Sequence, residues 1–167
     1  MALKRVLVLG ASGYVGSQLI PLLLREGYAV TAVARQFEFL KRRVPEHPNL
    51  TVQYLDLANR ESTLNLVNHF DLAFFLVHGM AHGYDFIDYE LSLAENFRQA
   101  LDKSQIQHVI YLSSLQPQTG DSKHLQARRE TGNILRQSHV PVTEIRAGVI
   151  SGAGSHAVEN KRGFGHD

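Results

Sequence analysis

The chain contains no cysteine. Disulfides, thiolate nucleophiles and cysteine-based metal sites are therefore excluded, and the composition suits a reducing cytoplasm. It also lacks a charge excess: 17 Lys and Arg stand against 16 Asp and Glu, a formal net charge of +1. The charges are interspersed, so no broad face for a nucleic-acid partner is expected. Lys41-Arg42-Arg43 is a short basic cluster that reads as a solvated helix end. Long apolar runs are missing too. Lys4-Arg5 and the residues after them faintly imitate a signal peptide, but Gly10 and Gly13 fall where an apolar segment should continue. Leu72–Val77 is far too short to span a bilayer. A soluble, cytoplasmic protein with no membrane partner is expected.

What is present is enough for one domain with a real core: 167 residues, of which 44% are hydrophobic. Residues 1–155 are expected to form that domain, and 156–167 an irregular tail with no sustained period. No internal repeat is visible.

The most informative stretch is Val6-Leu-Val-Leu-Gly10-Ala-Ser-Gly13-Tyr-Val-Gly16. Four apolar residues in a row read as a buried parallel strand. Three glycines at G-x-x-G-x-x-G spacing then turn the chain into a helix. Gly10 permits a tight turn, Gly13 lets backbone N–H groups approach phosphate oxygens, and Gly16 lets the helix pack close to the strand. The helix start at Tyr14, Val15 and Gly16 adds free N–H donors and a partial positive charge. This arrangement suits a pyrophosphate, and Ser12 offers a hydroxyl to the same place.

Strands and helices alternate along the whole chain. Strands are expected at Lys4–Leu9, Ala29–Ala34, Leu50–Leu55, Asp71–Val77, Gln107–Ser113 and Val142–Arg146. Helices are expected at Tyr14–Glu26, Gln36–Arg42, Arg60–His69, Tyr84–Lys103 and Ser122–Ser138. In the first helix, Val15, Leu19, Leu22 and Leu23 are taken as the apolar stripe. Pro21 should bend that helix slightly, and Gly27 should end it. The pattern predicts an α/β Rossmann fold: a doubly wound parallel sheet in the order 3-2-1-4-5-6, with helices on both faces.

In such a fold an acidic residue about 20 residues past the glycines would bind the ribose of NAD. Here the second strand ends in Val33-Ala34-Arg35. A guanidinium suits a 2′-phosphate far better, so NADP is favoured over NAD as the cofactor. The bland alternative for Arg35 is a solvated loop residue. Asp56 and Leu57 end the third strand, where an adenine would lie. Val77 and His78 end the fourth, near the expected path of the ribose and nicotinamide.

Four segments carry a family resemblance: Val8-Leu-Gly-Ala-Ser-Gly-Tyr-Val-Gly16, Phe75-Leu-Val-His78, Tyr111-Leu-Ser-Ser114 and Ile145-Arg-Ala-Gly-Val-Ile-Ser-Gly-Ala-Gly154. Over roughly residues 4–155 the chain resembles the atypical, extended-type short-chain dehydrogenase/reductases. It is most similar to their NmrA-like, NAD(P)H-binding branch, often labelled nucleoside-diphosphate-sugar epimerase-like. The resemblance implies a nicotinamide cofactor along the C-terminal edge of the sheet and a smaller C-terminal part that closes over a small-molecule substrate of unknown identity. It also implies a homodimer through paired helices, here Tyr84–Lys103 and Ser122–Ser138. The chain stops soon after the sixth strand, and Lys161–Asp167 departs from the pattern. A truncated or frameshifted product, or an artificial boundary, is expected.

Active members of that superfamily place a Ser at the end of the fifth strand and a Tyr-x-x-x-Lys pair on the next helix. Ser113 and Ser114 match the serine position. The pair is replaced by His124-Leu-Gln-Ala-Arg128, which keeps the one-turn spacing with different side chains. His124 could donate a proton near neutral pH, and Arg128 would favour its neutral form. The alternative is a solvated helix face for His124 and loop-bracing roles for the serines. His78 and His82 lack the partners of a metal site, so no metal is expected. Asn96 is read as satisfying a neighbouring loop, and Arg146 as a structural partner for a carbonyl or carboxylate. Three functions stay open: an NADP-dependent oxidoreductase or epimerase-like enzyme, a non-catalytic NADP(H)-binding redox sensor, and an inactive fragment.

Overall fold

Four consecutive apolar residues, Val6 to Leu9, lie at the centre of a six-stranded parallel sheet and expose at most 1% of their surface. A strand covered on both faces has no polar side to show, which is why β1 (Arg5–Leu9) reads as an unbroken apolar run. The computed structural model describes residues 2, 4–78, 86–117, 119–120, 122–153 and 155. The tail from 156 onward lies outside them.

Around β1 the chain adds β2 (Ala29–Ala34) and β3 (Leu50–Tyr54) on one side. It then crosses to the other side for β4 (Leu72–Phe75), β5 (His108–Ser114) and β6 (Val142–Ala147). The order is β3-β2-β1-β4-β5-β6, all parallel, as the alternation of elements predicts. Val8 aligns with Ala32 on one flank and with Phe74 on the other. Between β1 and β4 the direction of winding reverses, so a crevice opens beyond their C-terminal ends.

Helices α1 (Tyr14–Arg25) and α2 (Phe37–Arg43) cover one face. Helices α3 (Arg60–Leu66), α4 (Phe86–Asp102) and α5 (Lys123–Leu135) cover the other, and a short 3-10 turn, Val67–His69, extends α3. Observed ends differ from the expected ones by a few residues. Ser122 is the N-cap of α5 and accepts from the Leu125 N–H at 3.3 Å, so the helix starts one residue later. Of the expected Tyr84–Lys103 helix, Tyr84 and Asp85 lie outside the described residues.

The first helix needs a correction. Its buried face is Gly16, Ile20, Leu23 and Leu24, whereas Leu22 is 46% exposed and Val15 and Leu19 are only half-buried. A stripe counted from large side chains misses a glycine. Gly16 fixes the face nearest the sheet, and Ile20, Leu23 and Leu24 follow it at helical spacing. Pro21 is carried inside the helix on the exposed side. Gly27 takes φ +84°, and the Tyr28 and Gly27 N–H groups bond back to Leu23 and Leu24 at 3.1 Å each, a Schellman ending.

Each face has its own core. Phe75 stacks on Phe97 at 5.3 Å and meets Tyr111 edge-on at 5.9 Å on the α4–α5 side. Val6, Val8, Ile20 and Leu40 pack on the α1–α2 side. Each such fully buried side chain contributes about 1.5–3 kcal/mol. Together the two cores fix the strand tips from which the crevice is built.

Candidate functional site

The three glycines occupy three different environments. Gly10 has φ +78°, and a Cβ there would stand 2.8 Å from the Leu76 backbone at the end of β4. Gly16 would put a Cβ 2.7 Å from the Ala11 carbonyl oxygen. Both are required by the protein's own packing. At Gly13 a Cβ would touch only the Gly10 carbonyl oxygen, at 3.4 Å, and would otherwise project into the open crevice. That space is the cradle in which a diphosphate could lie against the bare backbone.

Two adjoining cavities open there, of about 260 Å³ and about 250 Å³. The first brings together Gly10, Ser12, Gly13, Arg35, Asp56, Leu57, Val77 and His78, all named from the sequence. Tyr14, Val15 and Gly16 line the second, with Gly10, Gly13 and His78 shared between the two. Tyr89 and Leu93 of α4 also line the first cavity, and Leu112, Ile150 and Ser155 the second. Sequence reading missed these. Tyr89 and Leu93 are one helical turn apart on one face, a signal that marks them as a pair without naming their neighbour.

The loop between β3 and α3 is braced by its neighbours. The Ala58 N–H donates to Asp56 Oδ1 at 2.9 Å. Asn96 Nδ2 donates to the Leu57 carbonyl at 2.8 Å, so this mid-helix amide does satisfy a loop. Arg35 Nη1 donates to the Tyr89 hydroxyl at 3.0 Å.

At the far end stands His78, where the two cavities meet. Its Nδ1 is buried and has no hydrogen-bond partner among the described residues. Burial, aided by the Arg128 charge, pushes the imidazole pKa down from 6.5 to about 3. The ring is therefore neutral at pH 7. The rest of the loop expected at 78–83, with His82, lies outside the described residues. Among the described residues no three His, Asp or Glu side chains gather as a metal site.

Arg128 lies on α5 with only 12% of its side chain exposed. Its Nη1 donates to Ser114 Oγ at 3.3 Å, and its Nε is 3.6 Å from the carboxylate of Glu90, itself 3% exposed. Ser114 and Arg128 thus meet at the end of β5. Ser113 is buried, its side chain on the opposite side of the strand from that of Ser114. His124, like Ser113, Ser114 and Arg128, is not among the residues lining these two cavities. It is exposed, stacks on Phe86 at 4.4 Å and lies one turn from Arg128. Tyr111, the tyrosine on β5, is tied up structurally: its hydroxyl donates to the Arg128 carbonyl at 2.9 Å, and burial pushes its pKa up to about 12. Arg146 pairs with Glu144 at 3.2 Å, a structural partner.

A crevice at the switch point of a doubly wound sheet, floored by a glycine turn and a helix start, defines a Rossmann-type dinucleotide-binding domain. The profile of a family described as NAD(P)H-binding matches residues 10–162, and the chain belongs to that family. The curated 3-beta-hydroxysteroid dehydrogenase of Mycolicibacterium neoaurum is 39% identical over 72 residues, 43% of this chain and 19% of that protein. Among solved structures, the Bordetella bronchiseptica enzyme WbmH in complex with NAD+ superposes with a TM-score of 0.77 at 18% identity, over 91% of this chain and 60% of its own. A short-chain dehydrogenase/reductase (wide type) of Veillonella parvula in complex with NADP has a TM-score of 0.67 at 24% identity, over 87% of this chain and 69% of its own. The chain thus spans less than two thirds of the length of WbmH and about a fifth of that of the steroid dehydrogenase. No helix among the described residues is long and apolar enough to cross a membrane.

Proposed function

We propose that this chain is a cytoplasmic NADP(H)-binding domain of the short-chain dehydrogenase type, with an oxidoreductase or epimerase-like activity on a small molecule of unknown identity. The carrying observation is Arg35. It lies past the end of β2, on the wall of the glycine-floored cavity, where an acidic residue would select NAD. Gly10, Ser12, Gly13 and the first turn of α1 would hold the diphosphate. Asp56 and Leu57 would border the adenine, Arg35 would take the 2′-phosphate, and Val77 and His78 would border the nicotinamide riboside. A bound nicotinamide supplies or accepts hydride. Ser114, oriented by Arg128, would then present a hydroxyl to the substrate oxygen, and neutral His78 would offer a hydrogen bond without carrying charge.

Fluorescence titration with NADPH and NADH tests the reading. Tighter binding of NADPH, lost in Arg35→Asp, is expected. Equal affinities in both proteins would refute the cofactor preference.

A second reading is a redox sensor that binds NADP(H) without turnover. It is favoured by the state of the acid–base candidates: His124 is stacked on Phe86, His78 resists protonation and Arg128 is ion-paired. A screen of carbonyl and alcohol substrates separates the readings. Turnover that falls in Ser114→Ala supports the enzyme; binding with no turnover supports the sensor.

A further inference from the structure

We infer that Tyr89 of α4 is a specificity-determining residue, because it holds the Arg35 guanidinium in place for a 2′-phosphate; this rests on the NADP reading above. Arg35 is exposed, sits in a loop and carries a long flexible side chain. A side chain of this length gives up rotamer freedom when it grips an anion. Tyr89 removes part of that cost. Its ring is packed against the α4–α5 core, and its hydroxyl reaches the cavity wall. There the hydroxyl accepts from Arg35 Nη1 at 3.0 Å, and the guanidinium carbon lies 5.9 Å from the ring centroid. A tyrosine has two side-chain torsions, so once its ring is packed the hydroxyl is a fixed post. Arg35 presents five N–H donors, and the bond to Tyr89 uses one of them. A guanidinium meets a phosphate as a planar fork.

The contact joins the end of β2 to a helix 54 residues further along the chain. A guanidinium already held in one place binds its anion more tightly than a mobile one. Neutral 2′- and 3′-hydroxyls gain little from it. Tyr89 therefore acts on the ratio of NADP to NAD affinity, through Arg35, rather than on dinucleotide affinity as a whole.

The test is the NADPH/NADH affinity ratio, measured by fluorescence titration on the full chain and on Tyr89→Phe, Tyr89→Leu and Arg35→Asp. Tyr89→Phe keeps the packed ring and loses the hydroxyl, and the ratio should fall about 3- to 10-fold. Tyr89→Leu loses the ring face as well and should lower the ratio further. General damage to the groove would weaken both nucleotides together and leave the ratio unmoved. If Arg35→Asp abolishes the preference while both Tyr89 variants keep it, the inference fails and the NADP reading stands. If the unsubstituted chain shows no preference, the reading fails and the inference with it.

Discussion

Gly16 in the first turn of α1 rests so closely on Ala11 that a Cβ would stand 2.7 Å from the Ala11 carbonyl oxygen and 2.8 Å from its Cα. Gly13, three residues earlier, has no such neighbour, and its nearest contact would be at 3.4 Å. One glycine serves the fold and the other the ligand, so the same substitution should act differently at each. Gly16→Ala should destabilise the domain by about 1–3 kcal/mol through overpacking, seen as a lower thermal midpoint. Gly13→Ala should change stability by less than about 1 kcal/mol, because the loss of a good N-cap and the gain in chain stiffness offset each other. It should nonetheless weaken NADPH binding at least tenfold. Equal thermal midpoints for the two variants would refute this division of roles.

The Glu90–Arg128 pair is nearly dry, with side chains 3% and 12% exposed. Removing one charge leaves the other buried and only partly compensated. Glu90→Gln should cost about 3 kcal/mol in urea denaturation, whereas an exposed pair would cost under 1. It should also alter the orientation of Arg128 against Ser114. An unchanged urea midpoint would show that water reaches this pair.

His78 makes stability depend on pH. Its folded pKa is depressed to about 3 from 6.5, so the unfolded chain binds the extra proton first. The contribution is fully present above the unfolded value and is lost as pH falls from about 6.5 toward 3. Between pH 7 and pH 5 the loss should be about 2 kcal/mol. Asp71, Glu95 and Asp102, whose pKa values are lowered from ordinary carboxylate values, act only at lower pH. Denaturation midpoints measured at pH 7 and pH 5 should differ for the unsubstituted chain and differ much less for His78→Phe. Parallel behaviour of both proteins would contradict the burial of the ring.

Local chemistry was readable where one residue type has few alternatives. The glycine triplet, the unbroken apolar run of β1 and the alternation of elements point to the sheet order and to most of the crevice. Asn96 was readable as a loop brace because an amide in an apolar helix must find a partner. The stripe of α1 was misread because Gly16 carries no hydrophobic signal although it sets the buried face. Glu90 was missed, yet it interrupts the apolar series Phe86, Leu93, Ala94, Phe97, and a carboxylate there announces a buried partner. That the partner is Arg128 depends on how α4 and α5 pack, which periodicity cannot reveal. The same holds for Tyr89 and Arg35, joined only when β2 and α4 meet over the crevice.

Calorimetric titration of the unsubstituted chain with NADP+ and, separately, with NAD+ tests the central claim most directly. One binding site per chain, with NADP+ tighter than NAD+, is the predicted result. No measurable binding of either nucleotide would contradict the assignment of the glycine-floored crevice.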